Sequence, residues 1–230
     1  SVTADATAKT YGAADPALAF TVSGLRFNDT VAGVLAGVLT RVGGETVAGG
    51  PYTITQGTLT PNGNYTLNFT GNTFSITKAA LAITADAKSK TYGAVDPAFT
   101  ANYAGFVNGE TPAVLGGALN FTRAPGEGIG SYPITPGGLT SGNYAITFNA
   151  GPLVIAAPTP LMLPLSFAGD NVTISWNAVS NATYRVQHQP VLNTTHWTDL
   201  AGDVTATGNV AFKADLKTTT NRFYRVLVLP

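Results

Sequence analysis

Apolar and polar residues alternate with a period of two along most of this chain. Tyr65, Leu67 and Phe69 alternate with Thr66 and Asn68, and later Tyr144, Ile146 and Phe148 alternate with Ala145 and Thr147. Leu81, Ile83 and Ala85 show the same spacing, as do Leu35, Gly37 and Leu39. Successive side chains of a strand point to opposite faces, so this spacing predicts strands with one buried face. Gly and Pro interrupt it at short intervals: Asp15-Pro16, Gly43-Gly44, Gly49-Gly50-Pro51, Pro61-Asn62-Gly63, Pro125-Gly126 and Pro136-Gly137-Gly138. These are turn signals. No segment carries a helical stripe. Short strands between frequent turns predict an all-β protein of the sandwich or small-barrel kind.

The pattern is written twice. Residues from Val2 read VTADATAKTYGAADPA and residues from Ile83 read ITADAKSKTYGAVDPA, an offset of 81, with similarity running on to about Ile155. A long fixed period marks an array of like modules. The expected organisation is three small β-sandwich-like domains in a linear array, at 1–78, 79–157 and 158–230. At the first joint, Ser75 to Ile83 passes from the last strand of one repeat into the first strand of the next. No Gly/Ser linker intervenes, so that joint is expected to be stiff. The second joint, Ala156-Ala157-Pro158-Thr159-Pro160, reads as a short semi-rigid spacer. Beyond it the character changes. Val172, Ile174 and Trp176 share one strand face, followed by strands at Tyr184 to Gln187, after His196 to Leu200, and at Arg222 to Val228.

Composition removes several functions. Charged residues make up 10% of the chain, the net charge is zero, and no basic field exists to hold a polyanion, so nucleic acid is not an expected partner. No apolar run reaches membrane-spanning length, so no membrane insertion is expected. The absence of cysteine removes disulfides, thiolate metal sites and a cysteine nucleophile. The chain opens on Ser1 rather than Met, as expected of a processed product or a fragment. Asn-x-Ser/Thr acceptors at Asn28, Asn64, Asn68, Asn171, Asn181 and Asn193 are explained by an Asn- and Thr-rich composition.

Two motifs recur. Tyr11-Gly12-Ala13-Ala14-Asp15-Pro16 returns as Tyr92-Gly93-Ala94-Val95-Asp96-Pro97, and reads as a structural corner in which Gly frees the backbone and Asp before Pro favours a turn. Arg41 and Glu45, like Arg123 and Glu127, flank a Gly-containing turn, which predicts exposed charge pairs facing each other across a hairpin. Such pairs are worth only about 0.2–1 kcal/mol. His188 and His196 read as loop residues, and no dense acidic loop suggests calcium. No nucleophile, metal or phosphate motif occurs. No catalytic residue, metal or cofactor is therefore expected. Trp176 reads as core. Trp197, among polar neighbours, is the candidate ligand platform.

These marks carry a resemblance. The paired Thr-Tyr-Gly-Ala corners, the Arg-x-x-Gly-Glu turns, and the strands Tyr52 to Ile54 and Tyr132 to Ile134 resemble the MBG repeat of the YGX type. The resemblance implies tandem modules of secreted and surface-attached bacterial proteins, many of them adhesin-like. Ile174-Ser175-Trp176, Tyr184-Arg185-Val186, Trp197 to Leu200 and Arg222 to Val226 resemble a fibronectin type III-like domain.

The expected function is a non-catalytic, extracellular structural or adhesive array of a bacterial surface or matrix protein. Its expected partners are other copies of itself, neighbouring surface proteins or glycans. One alternative is a filament subunit assembled by strand exchange. Ser1 aligns with Ala82, so the first repeat is expected to leave part of an edge unpaired, with Arg225 to Pro230 as a free-ended donor in a propagating head-to-tail contact. Another alternative is a carbohydrate-binding accessory fragment of a secreted enzyme.

Overall fold

The computed structural model describes residues 1–191, 195–217 and 221–229. The Asn193 acceptor and Pro230 lie outside the described residues. The fold is all-β. The helical elements among the described residues are a single turn, Val31–Val34, and a 3₁₀ turn, Pro112–Val114. Chain contacts group into two compact units, one of residues 1–85, 100–122 and 135–150, the other of residues 86–99, 123–134 and 151–230.

In the first unit, Val2–Ala4 lies between Phe20–Val22, antiparallel, and Phe69–Thr70, parallel. A four-stranded sheet runs Thr7–Thr10, Asn72–Thr77, Tyr52–Thr55, Thr40–Arg41, its first pair parallel and the others antiparallel. The second repeat repeats the first arrangement. Ala79–Ala85 lies between Ala101–Ala104, antiparallel, and Tyr144–Asn149, parallel. Ala79, Leu81, Ile83 and Ala85 are buried while Ala80, Ala82 and Thr84 face outward or half outward, as a period of two requires. Leu39, Tyr52, Ile54, Leu59 and Phe74 join Leu81, Ile83 and Tyr144 in one apolar cluster, so the core runs unbroken across the joint. Only Lys78 separates Asn72–Thr77 from Ala79–Ala85.

In the second unit, Lys88–Thr91 is parallel to Gly151–Ala156, which is antiparallel to the leading part of Gly130–Thr140. This matches the parallel pairing of Thr7–Thr10 with Asn72–Thr77, and sets Leu153 in the place of Phe74. The C-terminal part forms two further sheets. Asn171–Asn177 pairs with Ser166–Ala168 and Val210–Leu216, while Thr183–Gln189 pairs with Thr198–Asp199, Val204–Thr205 and Phe223–Val228. Trp176, Ile174, Tyr184 and Val186 meet in its core.

Three expectations change. The strand expected over 65–69 is reduced to Phe69–Thr70, because its neighbour Val2–Ala4 reaches only as far as a Val2 amide bond to the Asn68 carbonyl at 2.8 Å. Its side chains still alternate, and Tyr65, Leu67 and Phe69 are half-buried. The strand expected over 35–39 stops at Ala36, since Gly37 sits at φ 95° and turns the chain. The C-terminal run is not free-ended. Phe223–Val228 is hydrogen-bonded along Thr183–Gln189, with Val226 buried, so donating it would dismantle its own sheet.

Candidate functional site

The two recurrent motifs are parts of one device. Lys9 points inward from Thr7–Thr10, with its side chain only 5% exposed, and Arg41, on the opposite edge strand of the same sheet, has a side chain 8% exposed. Burying two cations costs several kcal/mol each unless carboxylates and carbonyls replace their water. Asp15, from the Tyr-Gly corner, supplies most of that replacement. It meets Lys9 Nζ at 2.6 Å and Arg41 Nε at 2.6 Å, and accepts from Arg41 Nη2 at 3.0 Å. Glu45 binds both cations from the rim. Arg41 Nη1 donates to the carbonyls of Gly44, at 2.7 Å, and Val42, at 3.1 Å, and so ties down the turn that follows it. Gly44 is required in that turn. Its φ is 147°, and a Cβ there would lie 2.0 Å from the Tyr52 ring.

The second repeat rebuilds the device. Lys90 Nζ lies 2.6 Å from Asp96 and 2.5 Å from Glu127, and Arg123 Nε lies 2.8 Å from Asp96. Arg123 pairs with Glu127 and donates to the carbonyls of Ala124 and Gly126, each at 2.7 Å. The expected exposed cross-hairpin pair is therefore corrected. The arginine is half-buried, with its side chain 8% exposed in the first repeat and 10% in the second, it is shared with the Asp of the other motif, and a lysine completes it. Lys9 and Lys90 were not singled out from sequence, because a lysine on an inward strand position contradicts polar-out patterning. Their signal was a fixed place two residues before each motif tyrosine.

These contacts shift ionisation. Arg41, then Lys9, hydrogen-bond the Asp15 carboxylate and hold its pKa down to about 2, while Asp15 and then Glu45 raise Lys9. An Asp with a depressed folded pKa contributes stability above its unfolded pKa of about 3.9 that is lost as pH falls towards the folded value. The raised Lys9 contributes below its unfolded pKa of about 10.4 and loses that contribution as pH rises beyond it. First-repeat stability is thus expected to be flat between about pH 5 and 9 and to fall at both ends. Urea midpoints measured across pH on first-repeat amide resonances check this. Asp15→Asn should flatten the acid limb, and an unchanged limb would count against the assignment.

The first repeat uses its corner a second time, at the joint. Tyr11 Oη donates to Glu110 Oε1 at 2.6 Å, and Tyr144 Oη donates to Glu110 Oε2 at 2.5 Å. The Tyr144 hydroxyl also accepts from the Val107 amide at 3.1 Å. The Tyr11 and Tyr144 rings meet edge-on at 5.5 Å, and Phe106 meets Tyr144 likewise at 5.4 Å. The two hydroxyls, Tyr11 first, lower the Glu110 pKa. The hydrogen bond to Glu110 is the main cause of the raised Tyr11 pKa, and burial is the main cause for Tyr144. Asn143 Oδ1 accepts from the Val47 amide at 3.0 Å, and a Cβ on Gly12 would fall 2.4 Å from Val107. The same motif residues of the second repeat lack this cover. Tyr92 is 46% exposed against 7% for Tyr11, and a Cβ on Gly93 would meet nothing within 4 Å.

The sequence reading missed Glu110 and Tyr144 as joint residues. The available signal was that Asp29 and Tyr65 occupy the same places in the first repeat. Pro16, itself exposed, lines an open cleft of about 600 Å³ together with Asp15, Leu18, Leu39 and Arg41, while Pro97, after Asp96, is half-buried. Trp197 is half-buried, and the Arg225 guanidinium lies 4.4 Å above its ring, so one face of the candidate platform is covered. Among the described residues, no three His, Cys, Asp or Glu side chains gather as a metal site.

The family model of the MBG domain (YGX type) matches residues 1–75 and again residues 81–154. No curated protein matches the chain.

Proposed function

We propose that this chain, which belongs to the MBG domain family of the YGX type, is a non-catalytic, extracellular array that holds surfaces apart or together at a bacterial cell surface or matrix. Family membership supports a module of the surface and adhesin kind. The observation that carries the reading is the joint. A single residue between two strands, a shared apolar cluster and a carboxylate bound by two tyrosines make the connection stiff, as a spacer requires. The charge clamps support it further, because the ionised groups in them are spent on holding corners and turns. Neighbouring surface proteins and glycans are the partners such a module would meet. Residues 158–230 are read as a fibronectin type III-like domain. The support is a Trp176 ring packed 5.6 Å from Tyr184, whose hydroxyl accepts from the Val179 amide a few residues upstream at 2.8 Å.

Nitrogen-15 relaxation tests the joint. Amides in Asn72–Thr77 and Tyr144–Asn149 are expected to report one shared rotational correlation time, and Glu110→Ala combined with Tyr11→Phe should separate the two values. Independent tumbling in the unaltered chain would overturn the spacer reading. Reproducible hydrolysis of a glycan, peptide or ester, abolished by one Asp or Glu substitution, would overturn the non-catalytic part.

A further inference from the structure

The first repeat has an unpaired strand edge beside its clamp. Thr40–Arg41 is the edge strand of the four-stranded sheet and pairs on one side only, with Tyr52–Thr55. Thr40 lies opposite Thr55, and the Val42 amide donates to the Thr53 carbonyl at 2.9 Å. Antiparallel strands aim alternate residues at their partner, so the main-chain amides and carbonyls of Leu39, Arg41 and Gly43 point away from the sheet. Among the described residues no main-chain group meets them. Such edges are normally blunted by charge or proline. Here Arg41 turns its charge inward, and Val38 and Val42 on the edge are 63% and 51% exposed.

The open cleft of about 600 Å³ is lined by this edge and by the segment Asp15 to Leu18. That segment belongs to no strand, and its main chain makes no hydrogen bond among the described residues. The volume lies within the range of ligand clefts, about 300–1,000 Å³. Leu18 and Phe20, half-buried, and Leu39, buried, give it an apolar lining. Past Gly43 stands Glu45, with a side chain 63% exposed, and Asp15 is 40% exposed. The cations that balance them, Lys9 and Arg41, are only 5% and 8% exposed. The charge that this rim shows to solvent is therefore negative.

The geometry points to this cleft as a binding site for an extended peptide with a basic residue. The peptide adds a strand antiparallel to Thr40–Arg41, sets an apolar side chain against Leu18 and Leu39, and places a Lys or Arg, N-terminal to that side chain, beside Glu45. Its main chain supplies the alternating donors and acceptors that the edge lacks, while the apolar lining and the anionic rim select its side chains. The site lies within the first repeat and does not rest on the stiffness of the joint, so neither test decides the other.

The test titrates the whole chain with the peptide acetyl-Lys-Thr-Val-Thr-Val-Thr-amide and follows amide hydrogen exchange. At about nine-tenths occupancy the outward amides of Leu39, Arg41 and Gly43 are expected to exchange about 10-fold more slowly, while those of Thr40 and Val42, already directed at the sheet, change little. No slowing, or equal slowing along the whole row, would overturn the proposal. Protection of the same amides that grows with protein concentration in the absence of peptide would also overturn it, by making a second copy the occupant. Replacing the peptide Lys by Glu should weaken binding by about 5-fold, and Glu45→Gln should erase that difference. A difference that survives Glu45→Gln would remove the basic residue from the proposal's rim and overturn it. Leu18→Phe narrows the cleft with a ring that the fold accepts in the second repeat, where Phe99 holds the same place. It should weaken the Lys peptide by about 10-fold with an unchanged urea midpoint, and unweakened binding would place the peptide elsewhere.

Discussion

Asp15→Ala is expected to lower the stability of the first repeat by about 2–3 kcal/mol. Breaking a buried ion pair costs about 3–5 kcal/mol when a charge is left without compensation. Asp15 touches both buried cations, but its own side chain is 40% exposed, so solvent screening trims the loss. What remains after the substitution is Lys9 and Arg41 side by side, 5% and 8% exposed, with the rim residue Glu45 as their shared counter-charge and the Val42 and Gly44 carbonyls still accepting from Arg41. Glu45→Ala, at a side chain 63% exposed, should change stability little. Urea unfolding followed on first-repeat resonances checks both. Equal losses at the two positions would show that the cluster is an ordinary surface network. Asp96→Ala should act in the same direction in the second repeat, where Lys90 and Arg123 are 4% and 10% exposed.

The distance between sequence and structure is physical and can be traced residue by residue. Strands at Ala79–Ala85, Tyr144–Asn149 and Asn171–Asn177 were legible because each buries one face, and period-two alternation reports that directly. The short first joint, one residue between two strands, was legible because no linker composition separates the repeats. The tyrosine corner was legible as a turn, since Gly12 and Gly93 both sit at φ 82°. What the corner holds was not legible. Asp15 and Arg41 stand 26 residues apart, and only the fold brings their side chains together. Inward lysines are hidden from any reading that assigns charge to the outer face. The joint clasp was hidden for another reason. Glu110 lies 99 residues from Tyr11, and its role comes from a difference between the repeats rather than from what they share.

Phe74→Ala is expected to have the largest effect of any single truncation in the first repeat, about 3–5 kcal/mol. Its ring is fully buried in the cluster that runs through the joint, and the Arg41 guanidinium lies 4.6 Å from its centroid. Domains are stable by only about 5–15 kcal/mol, so this loss would leave the first repeat near its folding threshold. Phe74→Leu separates the two contributions, because Leu153 holds the same place in the second repeat and is equally buried. Repacking an apolar side chain of similar size costs below about 1.5 kcal/mol, and loss of the cation–π contact adds about 0.5–2 kcal/mol. Phe74→Leu should therefore cost about 1–3 kcal/mol, and less when Arg41 is already replaced. Phe69 is half-buried, so Phe69→Ala should cost less than Phe74→Ala. Urea titrations of the single variants, and of the Phe74 and Arg41 pair, measure all of these. A Phe69→Ala loss as large as that of Phe74→Ala would move the centre of the repeat core to the edge beside Val2–Ala4. The clamp would then stand outside the core rather than rest on it.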